Sequence, residues 1–180
     1  MQHLYMMRHG QSEANAHMVI AGSHDSPLSE LGRRQATYAG QTAKEFFPFD
    51  LIVTSPMSRA VQTAEIVAEQ LGYPRDRLLV LEELRERNLG DVEGRDYRHA
   101  PQHNGNYEDA ENVPGVEPIE SLYARASHVL EVLRARPEKR VLVVCHNGCG
   151  RMLETAWAAD TPMGMYKRPR MENAVFYQLS

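Results

Sequence analysis

The chain has little of what marks a secreted or membrane protein. Its 180 residues contain two cysteines, Cys145 and Cys149, too few for a disulfide framework. No apolar run approaches the length of a bilayer crossing. The opening MQHLYMMRHG has no basic stretch followed by a long apolar core, so no secretory signal is expected. Charge of one sign is lacking too. A formal net charge of -4 offers nucleic acid or an anionic membrane surface no broad attraction. There is no internal repeat, low-complexity tract or convincing linker. These absences predict one domain over residues 1–180 in a reducing cytoplasm, with neither nucleic acid nor membrane as a partner. They say nothing of oligomeric state. A site that handles anions must then be a local cluster of cations.

What is present suits a globular fold, with 42% hydrophobic and 24% charged residues in a length that buries a sizeable core. Short apolar runs read as buried strands at His3–Met7, Leu51–Thr54, Leu78–Leu81, Val141–Cys145 and Val175–Leu179. Between them lie helical patterns: Ser29 to about Phe46 with Ser29 as N-cap, Ser58 to Leu71, Ile119 to Arg134, and Gly148 to Ala159. Strands alternating with helices argue for an α/β sandwich on a mostly parallel sheet. The segment Tyr97–Pro118, rich in Pro, Gly, Asn and acids, is the one long irregular stretch, with the length of a functional cover or of a surface insertion.

Three strand ends carry the candidate chemistry. Arg8-His9-Gly10 follows the first strand, Arg59 opens the helix after the second, and His146 follows Cys145 at the end of the fourth. Open α/β sheets bind ligands outside the carboxyl ends of their strands. A neutral histidine beside a glycine can attack phosphorus and split one transfer into two easier steps. Arginine offers a planar fork matched to phosphate oxygens. Taken singly, each residue has an ordinary structural explanation: a capping histidine, a first-turn arginine, or an ion-pair face around Glu86 with Arg85, Arg87 and Arg95. Together they make the set that phosphoryl transfer needs: cations for the equatorial oxygens, a nucleophile, and a proton donor for the leaving oxygen.

The chain resembles the histidine phosphatase superfamily, in its branch of phosphoglycerate mutases and related phosphatases. The resemblance rests on Met7-Arg-His-Gly-Gln-Ser-Glu-Ala-Asn15, Asp25-Ser-Pro-Leu-Ser-Glu-Leu-Gly32, Ser55-Pro-Met-Ser-Arg-Ala-Val-Gln-Thr-Ala64, Leu84-Arg-Glu-Arg-Asn-Leu-Gly-Asp-Val-Glu-Gly94 and Cys145-His-Asn-Gly148, in the family's order. It implies a three-layer αβα sandwich of phosphoglycerate mutase-like fold. It further implies His9 as phospho-acceptor, Arg8, Arg59 and His146 as the rest of the phosphate pocket, and Glu86 as the proton donor. An acid working near neutral pH needs a raised pKa, which a partly dry pocket holding a dianion would supply. Ser12, Asn15, Ala21 and Gly22 match positions lining the substrate entrance, and Asn147 stands at another where glycine is common. Val92 stands where many of the family's phosphatases have tryptophan. The resemblance implies no metal and no cofactor.

Rival chemistries remain to be weighed. Cys145-His-Asn-Gly-Cys-Gly-Arg151 fits the Cys-x5-Arg loop of cysteine phosphatases, but Val144 and Met152 replace the flanking His and hydroxyl residue expected there. A phospho-ligand-binding module without turnover would lack His9 or Glu86. A mutase must hold a bisphosphate while it reorients, which requires a second cationic subsite and exclusion of water. Residues 102–120 contain Glu108, Asp109, Glu111, Glu117 and Glu120 and no Lys or Arg, which favours hydrolysis of a small phosphorylated substrate.

Overall fold

A computed structural model describes residues 2–44, 48–98 and 112–179. Its strands are β1 (His3–Arg8), β2 (Leu51–Thr54), β3 (Leu79–Val80), β4 (Arg140–Cys145) and β5 (Phe176–Gln178), in one sheet of order β3-β2-β4-β1-β5. All neighbours are parallel except β5, which runs antiparallel to β1. Alternation along β1 sends Leu4 and Met6 to one face and Tyr5 and Met7 to the other, and all four are buried. Helices α4 (Ile119–Arg134) and α5 (Asn147–Trp157) cover the first face. Helices α2 (Glu30–Ala43) and α3 (Ser58–Leu71) cover the second. The result is a three-layer αβα sandwich.

The sheet order aligns the site. β4 lies between β1 and β2, with Val144 opposite both Met7 and Thr54, so the three strands end side by side. Local chemistry sets where the following helices start. Ser29 Oγ accepts the Gly32 N–H at 3.1 Å, an N-cap worth about 1 kcal/mol that begins α2. At its far end α3 stops at Gly72, whose left-handed φ of 69° suits a residue without Cβ.

The element boundaries move slightly from expectation. α5 begins one residue earlier, at Asn147, because His146 takes the extended N-cap conformation. A short helix α1 (Glu13–Ala16) was not expected, although Ser12 and Asn15 form a capping box around it. The expected end of α2 near Phe46 and residues 99–111 of the cover segment, with Glu108, Asp109 and Glu111, lie outside the described residues. The described flanks of that segment are tied to the rest of the fold. Tyr97 N donates to Met18 O, and Val113 and Val116 pack against Ile20, Leu89 and Val92. Among the described residues no helix is long and apolar enough to cross a membrane.

Candidate active site

His9 leaves β1 with its N–H donated to Cys145 O at 2.9 Å, which carries the sheet ladder one step past the strand. Gly10 then passes so close to α2 that a Cβ there would run into the Gly32 carbonyl. This tight passage fixes the imidazole. Its Nδ1 lies 2.6 Å from Gly10 O, and a carbonyl only accepts, so Nδ1 carries the proton. Neutral His9 therefore presents the lone pair on Nε2. Burial, then the Arg59 and Arg8 charges, hold its pKa well below the usual histidine value, which keeps the ring neutral.

His146, fully buried at the β4–α5 junction, lies with its ring centroid 5.1 Å from that of His9. Its Nε2 is 2.8 Å from Ser55 Oγ, which also accepts the Met57 N–H at 3.3 Å. If the Ser55 hydroxyl donates to Nε2, neutral His146 carries its proton on Nδ1; if Nε2 donates to the hydroxyl, Nδ1 bears the lone pair. That buried nitrogen has no partner among the described residues. Burial, then Arg59 and His9, lower the pKa of this ring too.

The arginines are aimed by carbonyls. Arg59, buried in the first turn of α3, donates to His24 O at 2.9 Å and Gly22 O at 2.8 Å. Arg8 donates Nη1 to Met171 O at 3.0 Å, and its Nε is buried without a partner among the described residues. Opposite them, Glu86 sits on the N-terminus of α5. One carboxylate oxygen accepts from Arg87 N at 2.8 Å and Cys149 N at 3.0 Å, and the other from Gly148 N at 3.0 Å. A Cβ on Gly148 would lie 2.7 Å from Glu86 Oε1, so the glycine makes room for the carboxylate.

One open cavity is walled by Arg8, His9, Asn15, Ala21, Gly22, Arg59, Glu86 and Leu89. Most of the expected residues thus meet in one place. Ser12, His146 and Asn147 stand behind the wall: Ser12 caps α1, His146 is buried beside His9, and Asn147 Oδ1 accepts the Met171 N–H at 2.8 Å. Asn147 thereby fixes the segment that holds Arg8. Glu93 and Thr63, which lie within the motifs of the acid turn and of α3, also close the site. Glu93 Oε1 accepts from Ser23 N at 2.7 Å and Leu89 N at 2.8 Å, tying the loop under Arg59 to the acid's turn. Thr63 Oγ1 takes the Gly10 N–H at 3.1 Å. Neither contact could be read from spacing, since each joins segments far apart in the chain. The rival nucleophile is poorly placed: Cys145 is fully buried, and its pKa is raised by a hydrogen bond with Cys149 and by burial.

A neutral histidine and two arginines lining one cavity, with a second histidine close to the first, agree with what comparison finds. The family model of the histidine phosphatase superfamily (branch 1) matches residues 4–180. The chain belongs to that superfamily. It is 35% identical to the uncharacterized phosphatase PhoE of Bacillus subtilis (strain 168) over 159 residues, covering 87% of this chain and 78% of that one. It is also 35% identical, over 83% of this chain and 77% of the other, to a 2,3-bisphosphoglycerate-dependent phosphoglycerate mutase of Parvibaculum lavamentivorans. The native structure of a mycobacterial glucosyl-3-phosphoglycerate phosphatase superposes with a TM-score of 0.83 at 29% identity, over 100% of this chain and 90% of that one. The protein is an enzyme of this superfamily, with phosphatases and phosphoglycerate mutases among its relatives.

Proposed function

We propose that the enzyme is a phosphomonoesterase that works through a phosphohistidine on His9 and hydrolyses a small phosphorylated metabolite without a metal. The carrying observation is the His9 tautomer: Nδ1–H is committed to Gly10 O, and Nε2 is free beside Arg8 and Arg59. In the first step the Nε2 lone pair forms the N–P bond while the ester P–O bond breaks. Glu86 gives its proton to the leaving oxygen. In the second step water attacks phosphorus, the P–N bond breaks, and the water proton passes to the Glu86 carboxylate. Arg8, Arg59 and, in its Nδ1–H tautomer, His146 hold the equatorial oxygens through both steps.

A second reading, a mutase, has one observation in its favour beside the relative from Parvibaculum. A groove sharing Arg8 and Asn15 with the phosphate cavity is also walled by Gln11, Tyr97 and Arg170. Arg170 adds a cation that lies outside the acidic 102–120 segment.

One experiment has two arms. Brief exposure to labelled substrate should put acid-labile phosphate on a single histidine, and His9→Ala should lose both label and turnover. A turning-over His9→Ala variant would end the covalent mechanism. In the second arm, 3-phosphoglycerate is followed with and without 2,3-bisphosphoglycerate, measuring free phosphate and 2-phosphoglycerate together. Phosphate release should dominate in both; primer-dependent isomerisation faster than release would make the enzyme a mutase.

A further inference from the structure

We infer that Arg125 is the positioning residue for the acid, one half of a clamp that holds the turn carrying Glu86 at the edge of the phosphate pocket. The inference rests on Glu86 being the proton donor. Arg125 projects from the middle of α4, a 16-residue helix buried on one side in the core. Its Nη1 donates to Glu83 O at 2.6 Å and to Arg85 O at 2.7 Å, the carbonyls just before the acid. Its Nε and Nη2 grip the Glu117 carboxylate at 2.7 and 2.9 Å, with both side chains only 18% exposed. Glu117 completes the clamp from the other side. Its carbonyl accepts Arg87 Nε at 2.9 Å, and its N–H donates to Asn88 O at 2.8 Å.

The turn from Glu83 to Asn88 is otherwise a short 3-10 piece, Glu82–Leu84, followed by irregular chain. The Gly148 and Cys149 amides hold the Glu86 carboxylate itself, and the clamp holds the backbone that carries it. An exposed ion pair would add little, but a bidentate pair shielded from water resists both salt and rotation. The position of Glu86 matters most when the leaving oxygen needs a proton, and a misplacement of about 1 Å can cost about 100-fold in rate. Substrates with leaving groups that depart unaided are indifferent to it. The clamp therefore predicts a defect that depends on the leaving group, which a purely structural ion pair would not produce.

The test compares an alkyl phosphate with p-nitrophenyl phosphate. Arg125→Met should lower kcat on the alkyl ester about 10- to 100-fold and on the aryl ester less than about threefold, with KM nearly constant. On a Glu86→Gln background, Arg125→Met should add nothing to the difference between the two esters, because both changes act through one group. Arg125→Lys, which keeps the charge and one donor arm, should recover part of the alkyl rate. Arg125→Lys and Glu117→Gln carry the same comparison if Arg125→Met does not fold, with a smaller alkyl-selective loss. Equal losses on both esters, or losses that multiply on the Glu86→Gln background, would overturn the clamp. If Glu86→Gln alone shows no leaving-group dependence, the acid assignment falls and the clamp with it. If Glu86→Gln is selective and Arg125→Met is not, the clamp alone falls.

Discussion

The phosphate pocket should make the free enzyme sensitive to mild acid. His9 and His146 are both buried, and burial together with Arg59 and Arg8 depresses both pKa values well below 6.5. The unfolded chain binds protons on these rings at a pH where the folded protein does not, so stability rises with pH in that window. It is complete above the unfolded pKa and is lost as pH falls below it. With an unfolded pKa near 6.5, going from about pH 7.5 to about pH 5.5 costs on the order of 1 kcal/mol per histidine, and on the order of 2–3 kcal/mol for the pair. In a domain of this size that is a fall of about 5–10 °C in Tm. Urea titrations of the wild type and of a His9→Asn, His146→Asn double variant at several pH values isolate the effect, because the carboxylates titrate lower and are shared by both. The wild type should lose on the order of 2–3 kcal/mol more than the variant over the interval. A dianion bound among the cations favours protonated rings, so saturating sulfate should flatten the wild-type curve. Parallel curves for the two proteins would refute the depressed pKa values.

Glu86→Gln should slow alkyl phosphate hydrolysis about 10²- to 10⁴-fold while sparing an aryl phosphate with a good leaving group; equal losses would move the acid elsewhere, with Glu82 and Glu83 next to be tried. Activity should survive thiol alkylation and Cys145→Ala, because Cys145 is buried with its pKa pushed up by Cys149 and by burial. Loss of activity in both treatments would revive the cysteine nucleophile.

Much of the fold was legible because its signals are local. The runs Leu51–Thr54, Ser58–Leu71 and Ile119–Arg134 appear with the boundaries their periodicity predicts. The short edge strand Leu79–Val80 came out two residues shorter than its apolar run, since an edge strand pairs on one side only. The grouping of the candidate residues was legible where they sit at strand ends, as with His9, Arg59 and His146. Contacts that close the site over long distances were not. Asn147 carries an amide at the pocket's edge, but only the fold shows that it turns to Met171 N. Nor does spacing reveal that Glu117, one of the acids of the 102–120 segment, is paired with Arg125. A carboxylate already gripped by a guanidinium exerts much less repulsion than a free one, so the acidity of the 102–120 segment is weaker evidence against a mutase than its composition suggests.

The way the acids around the pocket are used explains how the site keeps its charge. Glu93 accepts from Ser23 and Leu89 amides, Asp25 from Ser58 N and Oγ, Glu86 from the amides of α5, and Glu117 from Arg125. Arg8 and Arg59 are instead held by carbonyl oxygens, and neither is ion-paired with a carboxylate among the described residues. Carbonyls orient a guanidinium without cancelling its charge. A carboxylate in their place would hold it as well and leave a phosphate to compete with an internal anion, at a cost of several kcal/mol once water is excluded. Burial first, and the guanidinium charges after it, hold the His9 and His146 pKa values down, and Arg8 Nε and His146 Nδ1 have no partner among the described residues. In the proposed mechanism the same burial and cations that destabilise the empty pocket in acid hold the phosphoryl group and keep His9 unprotonated for attack.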